Sequence, residues 1–379
     1  MKNRFAEYYE LSKQRIGRIW SANSLIVFDT NVLLNLYRYN EDARNEFISV
    51  IKFYKERLWI PYQVGLEFHR RREDIMRNNA AAYKTIRKGL GEGFNKVLSQ
   101  IEKDYARHPY IRLHEIKDKV AQCTAFINNL LEEQEKNHPD YSKDDEVLNA
   151  VTELFDGRVG VDFSTAELEL LYQEGEKRYA NQVPPGYCDV KNKKDGPQRS
   201  LYGDLIVWKQ TIAHSKEQQR SVIFVTDDHK LDWWDKNDGK HTPRKELTKE
   251  FSDNTGQYIL IYDSKRFLEY AKTNKRFSVS QKTIDEVDKI KKDDESLWAN
   301  AIERMSPKRY WPDIVANSGT LRYPFENTNE RRLPDYIETP YFQNFLENNY
   351  HQGLIGYLAE NFYKSKEQTP SLKSYIETK

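Results

Sequence analysis

The chain has 379 residues, 38% hydrophobic, 31% charged and 13% aromatic, a balance that belongs to folded proteins and excludes the intrinsically disordered class. Sixty basic residues against 59 acidic ones leave a formal charge of +1, which excludes chain-wide attraction to nucleic acid or to a membrane surface and leaves only local patches for such binding. A mean hydropathy of −0.88, with no apolar run near the ~20 residues of a bilayer span, sets membrane insertion aside.

The first twenty residues carry charges every few positions and lack the apolar stretch of a secretory leader, so no export is expected. Residues 4–20 place Phe5, Tyr8, Tyr9, Ile16 and Ile19 at helical spacing. Leu25-Ile26-Val27-Phe28 is then a short continuous apolar run, the pattern of a strand buried on both faces of a parallel sheet. Residues 32–39 return to helical spacing, and 57–61 read as a second short strand closed by Pro61. From Val64 to about Leu154 the pattern is helical, with Val97, Ile101, Phe126 and Leu130 set among Lys, Glu and Gln.

Pro184-Pro185-Gly186 breaks that region, and Asp204-Leu205-Ile206-Val207-Trp208 opens another helix. Residues 221–226 form the clearest strand of the chain and 258–262 another. Strands alternating with helices predict an α/β fold, with a three-layer α/β/α arrangement around a mainly parallel sheet. The domain is expected to span 1–275 with a helical insertion over about 70–180, followed by an extension, 276–379, that is helical over 280–305 and has no assignable fold beyond. Cys123 and Cys188 form neither a disulfide framework nor a zinc-ligand spacing, which points to a reducing cytoplasm.

The chemistry sits at strand ends. Phe28 is followed by Asp29, and Thr226 by Asp227-Asp228. In open α/β sheets ligands bind beyond the carboxyl ends of the strands, so acids there can converge on one crevice. Clustered carboxylates repel each other and persist when a cation neutralises them. Oxygen donors without His or Cys favour magnesium or manganese over zinc, ions that polarise a phosphodiester and activate water.

Four ordered segments, Ile26-Val27-Phe28-Asp29-Thr30-Asn31, Val64-Gly65-Leu66-Glu67, Gly203-Asp204-Leu205-Ile206-Val207-Trp208 and Val225-Thr226-Asp227-Asp228, resemble the four acidic motifs of PIN-domain nucleases. The resemblance is closest to a bacterial PIN-like subgroup in which a Pro-Pro-Gly-Tyr segment, here 184–187, precedes the third acid and an Asp-Trp-Trp stretch, here 232–234, follows the last. It covers roughly 22–275. It implies Asp29, Glu67, Asp204 and Asp228 as catalytic metal ligands, with Asp227 as an alternative or additional ligand and Asn31 and Thr226 as supporting polar groups. It further implies Mg²⁺ or Mn²⁺, hydrolysis by activated water without a covalent intermediate, and an endoribonuclease, with RNA ranked over DNA by family analogy. A toxin-like or anti-phage defence setting follows from the same analogy. The long interval between Glu67 and Asp204 departs from compact PIN domains and marks the insertion.

Bland readings compete at each position. An Asp after a strand is commonly a helix N-cap, and Glu67 alone would pass for a solvated helix position. Lys191, Lys193, Lys194 and Arg199 precede Asp204 and could grip a phosphate backbone; Arg70 and Arg71 follow Glu67, where pairing with Glu73 and Asp74 is an equal alternative. Trp233 and Trp234 are assigned to the core, and Gly89, Gly91 and Gly93 are dismissed as a phosphate loop because no strand precedes them. The insertion and the C-terminal extension are where a protein partner or a second copy of the chain is expected. Two other functions remain open: a non-catalytic RNA-binding or scaffold protein on a PIN fold, and a haloacid dehalogenase-like phosphatase, disfavoured because Asn31 stands where that family needs a second Asp.

Overall fold

Leu25-Ile26-Val27-Phe28 forms strand β1 (Leu25–Phe28), and all four residues are buried. In the computed structural model it pairs in parallel with β2 (Val222–Val225), which pairs in parallel with β5 (Ile259–Tyr262). Phe28 stands opposite Val225 and Val225 opposite Tyr262, so the carboxyl ends of all three strands lie along one edge. The structure describes residues 1–305 apart from 2–4, 10, 22, 191–195, 238–239 and 274–276. The chain divides into a unit of Met1–Met305 and one of Ser306–Lys379; the part of the expected extension without an assignable fold, 306–379, lies outside the described residues.

Burial on both faces requires helices on both sides. Phe28 packs edge-on against Phe267 at 5.3 Å, on the side of α1 (Lys13–Ser21), α3 (Glu41–Phe53), α11 (Ser264–Thr273) and α12 (Gln281–Met305). Phe224 points the other way and stacks on Trp233 at 5.3 Å; Trp208 of α9 (Gly203–Gln218) closes over Trp233 and also meets Phe251 of α10 (Lys245–Thr255). Trp233 and Trp234 are both buried, as their assignment to the core requires. This is the three-layer α/β arrangement with a parallel sheet. Val279, Ile284, Val287 and Ile290 join the same core, so α12 packs against α3 and α11.

Local departures have local causes. The strand expected at 57–61 is reduced to two isolated parallel bridges, Ile26 with Leu58 and Ile60 with Val159. Ile60 turns its backbone toward Arg158 and Gly160, and Pro61, lacking an N–H, starts α4 (Tyr62–Tyr105) instead of continuing the ladder. Only 13–21 of the expected leading helix is α-helical, after a 3₁₀ turn at Ala6–Tyr8. An antiparallel hairpin of β3 (Trp234–Asn237) and β4 (Lys240–Pro243) was not legible as alternation.

The insertion begins as an unbroken 44-residue helix, α4, that leaves the domain and returns as α5 (Leu113–Lys136) lying against it. Of α4 only Gln63, Val64 and Phe68 are buried, and of α5 only Ile127 and Leu131, so the distal hairpin is an arm with little core. Gly89, Gly91 and Gly93 sit inside α4. The chain then re-enters the domain: α6 (Glu146–Phe155) puts Val147, Val151, Leu154 and Phe155 into the main core. Its N-cap Asp145 accepts from the Tyr37 hydroxyl at 2.9 Å and from Arg72 at 2.7 Å. α7 (Thr165–Ala180), started by a capping box of Ser164 and Glu167, packs Leu171 against Leu205 and Ile206 of α9.

Candidate functional site

At the end of β1, Asp29 is both N-cap and cluster member. One oxygen accepts from the Thr30 amide at 2.7 Å, opening α2 (Thr30–Asn35). The other accepts from the Thr226 hydroxyl at 2.7 Å and the Asn31 amide at 2.9 Å. Asn31 also accepts from the Asp227 backbone N–H at 3.0 Å, and Thr226 Oγ1 accepts from the Asp228 N–H at 3.1 Å. Only a side chain with both a donor and an acceptor can make the Asn31 pair of contacts, so an Asp there would break the join between the two strand ends.

Glu67 comes from the base of α4. Its Oε1 accepts from Gln63 Nε2 at 2.8 Å; the Gln63 carbonyl accepts from Arg199 Nε at 2.7 Å, and Arg199 holds Asp162 through two parallel bonds of 2.8 and 2.9 Å. Arg199 is thereby committed to protein partners. Across from Glu67 lies the start of α9, where a Cβ on Gly203 would come within 2.5 Å of Glu67 Oε1. The absence of that Cβ lets the carboxylate lie directly against the helix that carries Asp204 in its first turn.

Asp228 is engaged by Lys230 twice: the Lys230 N–H donates to Oδ1 at 2.8 Å and the ammonium meets Oδ2 at 2.7 Å. The same ammonium lies 2.7 Å from Asp189 Oδ1 and 3.6 Å from Asp204 Oδ2. Burial alone would lower its pKa, but Asp228, Asp204, Asp189 and Asp232 outweigh burial and hold it well above the ordinary lysine value. Burial pushes the Asp29 carboxyl up to about 6, with the charges of Asp228 and Glu67 adding to the rise and the bonds from Thr226 and Thr30 opposing it.

Asp29, Glu67, Asp204 and Asp228 are thus brought together from four distant segments. Asp227 is not among them. Its carboxylate is buried on the far side of the strand end, accepting from the Ser264 N–H at 2.9 Å, the Ser264 hydroxyl at 2.7 Å and Asn35 at 3.1 Å, where it pins the start of α11. Arg70 and Arg71 are exposed on α4 beyond Glu67. Lys191, Lys193 and Lys194 lie outside the described residues.

Sequence reading passed over Lys230, Asp189 and Gln63, and gave Asp232, quoted within the Asp-Trp-Trp stretch, no role of its own. Asp232 is 0% exposed and accepts from the N–H groups of Gly186 and Cys188 at 2.9 and 3.0 Å. Gly186 has φ +96°, and a Cβ there would strike the Tyr179 hydroxyl. The available signal was position: Asp189 stands two residues after the Pro-Pro-Gly-Tyr segment, and Lys230 two after Asp228.

The donors of the cluster are all carboxylate oxygens, which suits a hard divalent cation in kind. Among the described residues no group of three or more His, Cys, Asp or Glu is arranged to hold a metal ion as it stands; the Lys230 ammonium takes the central position among Asp189, Asp204 and Asp228. No helix among the described residues is long and apolar enough to cross a membrane. A family model described as a PIN-like domain matches residues 25–247, a stretch that contains every acid of the cluster. Neither a curated protein nor a solved structure matches the chain.

Proposed function

The chain belongs to the PIN-like domain family, and on that premise we propose that it is a divalent-metal-dependent nuclease that hydrolyses phosphodiester bonds, with RNA as substrate and internal cleavage as its mode. The observation that carries this reading is the convergence of Asp29, Glu67, Asp204 and Asp228, from four segments far apart in the chain, at the carboxyl edge of the sheet. Mg²⁺ or Mn²⁺ is the cofactor this donor set suits, held by Asp29, Glu67, Asp204 and Asp228. When bound, such an ion supplies Lewis acidity that polarises a phosphodiester and acidifies water.

The chain's own contribution is positional. Thr226, Asn31 and the Thr30 amide fix the Asp29 carboxylate, Gln63 fixes Glu67, and the Lys230 backbone fixes Asp228. Fixed carboxylates keep their geometry as charge develops on the reacting phosphate, which is how preorganised sites lower a barrier. Arg70 and Arg71, exposed on α4 past Glu67, suit contacts to the phosphate backbone. The arm of α4 and α5 suits selection of a substrate or a protein partner, and a defence or toxin-like role and a cytoplasmic setting are the biological context that we infer.

A second reading is favoured by the ammonium at the centre of the acids: a nucleic-acid-binding module on a PIN fold that does not cleave. One assay separates the two. Purified protein is incubated with labelled single-stranded RNA, single-stranded DNA and duplex DNA, in manganese, magnesium or chelator, beside Asp29→Asn and Asp204→Asn. Metal-dependent RNA cleavage lost in both variants is expected. Cleavage that survives both substitutions, or RNA binding with no cleavage in any metal, would overturn the nuclease reading.

A further inference from the structure

Lys230 holds a position that a divalent cation would otherwise fill. Its ammonium is 2.7 Å from Asp189 and Asp228 and 3.6 Å from Asp204, and its side chain is only 14% exposed. The approach is not a loose surface pairing, because the backbone is pinned as well. The Lys230 N–H is bound by Asp228, and its carbonyl accepts from the N–H groups of Trp233 and Trp234, residues stacked into the core beneath the sheet. Asp232, fully buried beside this group, keeps Oδ1 without a hydrogen-bond partner among the described residues.

We propose that the Lys230 ammonium is a tethered replacement for one divalent ion, so that the carboxylate cluster binds one metal ion fewer than its acids would hold. The idea takes the carboxylate cluster as the metal centre of the nuclease reading. An ammonium and a small divalent ion cannot share this space: ligand oxygens stand ~2.1 Å from magnesium, and two cations among the same oxygens would repel strongly. With Lys230 in place, one exchangeable ion is left to the cluster, held by Asp29 and Glu67, which form no ion pair among the described residues, together with the lone pairs of Asp204 and Asp228 that Lys230 does not engage. A single positive charge fixed by the fold is present in every molecule regardless of metal supply.

The test counts bound manganese without nucleic acid, by titration calorimetry and native mass spectrometry, on the full chain, Lys230→Met and Lys230→Arg. Lys230→Met is expected to bind one Mn²⁺ per chain more than the parent, and Lys230→Arg the parent's number. Equal counts for the parent and Lys230→Met would overturn the proposal. Should Lys230→Met be unfolded in chelator, recovery of its melting transition in millimolar Mn²⁺ supports the replacement, and failure to recover overturns it. The readout is independent of cleavage. A gain of one ion in a protein that cuts no RNA would sustain the role of Lys230 while removing the nuclease reading, and cleavage without the gain would do the reverse.

Discussion

The Thr226 hydroxyl donates to Oδ2 of Asp29 at 2.7 Å, joining the ends of two adjacent strands across 197 positions of sequence. The same oxygen accepts from the Asp228 N–H and from Asn31, so all the bonding capacity of the hydroxyl is used. Thr226 is itself fully buried, so Thr226→Val is expected to cost about 1–3 kcal/mol of stability and about 10- to 100-fold in Mn²⁺ affinity. Thr226→Ser should restore most of both. Denaturant titration and calorimetry give the comparison, and a Val variant with native metal affinity would remove the hydroxyl from the site's support.

Gly203 predicts a loss of function without a loss of stability. Alanine favours a helix over glycine by up to about 1 kcal/mol, but its Cβ would lie 2.5 Å from Glu67 Oε1 and must displace it. Gly203→Ala is expected to melt at or above the parent temperature while cleavage falls on the order of 100-fold, the scale of a small misplacement of a reacting group. Unchanged cleavage would separate Glu67 from the chemistry.

Asp227 and Asp228 are neighbours with different work. Asp227 receives three hydrogen bonds from Ser264 and Asn35; Asp227→Asn turns a donor toward donors and is expected to destabilise by about 1–3 kcal/mol, with cleavage per folded molecule retained. Asp228→Asn should leave a folded protein whose cleavage drops on the order of 1,000-fold. Melting curves and rate measurements on the two variants would show the reverse pattern if Asp227 were the ligand.

For Arg199 the expected grip on phosphate gives way to a bidentate pair with Asp162 and a bond to Gln63. Arg199→Lys cannot reproduce the planar fork and should weaken Mn²⁺ binding through Gln63 and Glu67. The slope of RNA affinity against salt should not change. Loss of a true phosphate contact would reduce that slope by about 1, and such a reduction would return Arg199 to the nucleic-acid surface.

Glu250 supplies a pH dependence. Burial would raise its carboxyl, yet the Arg178 bonds and charge, Lys209 and the Trp208 indole N–H bring it down from 4.5 to about 2. A depressed folded value means the ionised form stabilises the fold above pH 4.5, and that stability is lost as pH falls toward 2. The contribution is about 3 kcal/mol. Stability measured from pH 6 to pH 2 should fall less steeply in Glu250→Gln than in the parent.

The strand cores were legible because their apolar runs are continuous and end abruptly in acid; the candidate acids stood out only as an ordered set, since Glu67 alone reads as a solvated helix position and an Asp after a strand as an N-cap. The strand at 57–61 was misjudged in extent, since what limits it is a partner, the 158–160 segment, that sequence does not place beside it. Lys230 was hidden for another reason: a lysine among Asp and His residues reads as a solvated loop, and its burial depends on Asp189 and Asp204 arriving from elsewhere. The commitment of Arg199 to Asp162 is equally non-local, as nothing in its neighbours marks an acid 37 positions away as its partner.

Glu67 and the tip of the arm belong to one unbroken helix. At ~1.5 Å per residue, the stretch from Glu67 to Tyr105 is about 55 Å long, so the arm works as a lever whose short end is a carboxylate. A tilt of a few degrees at the base sweeps the tip through several ångströms, and a load that holds the tip is felt as a torque at Glu67. A displacement at the far end would therefore be carried through one uninterrupted helix to the turn that holds Glu67.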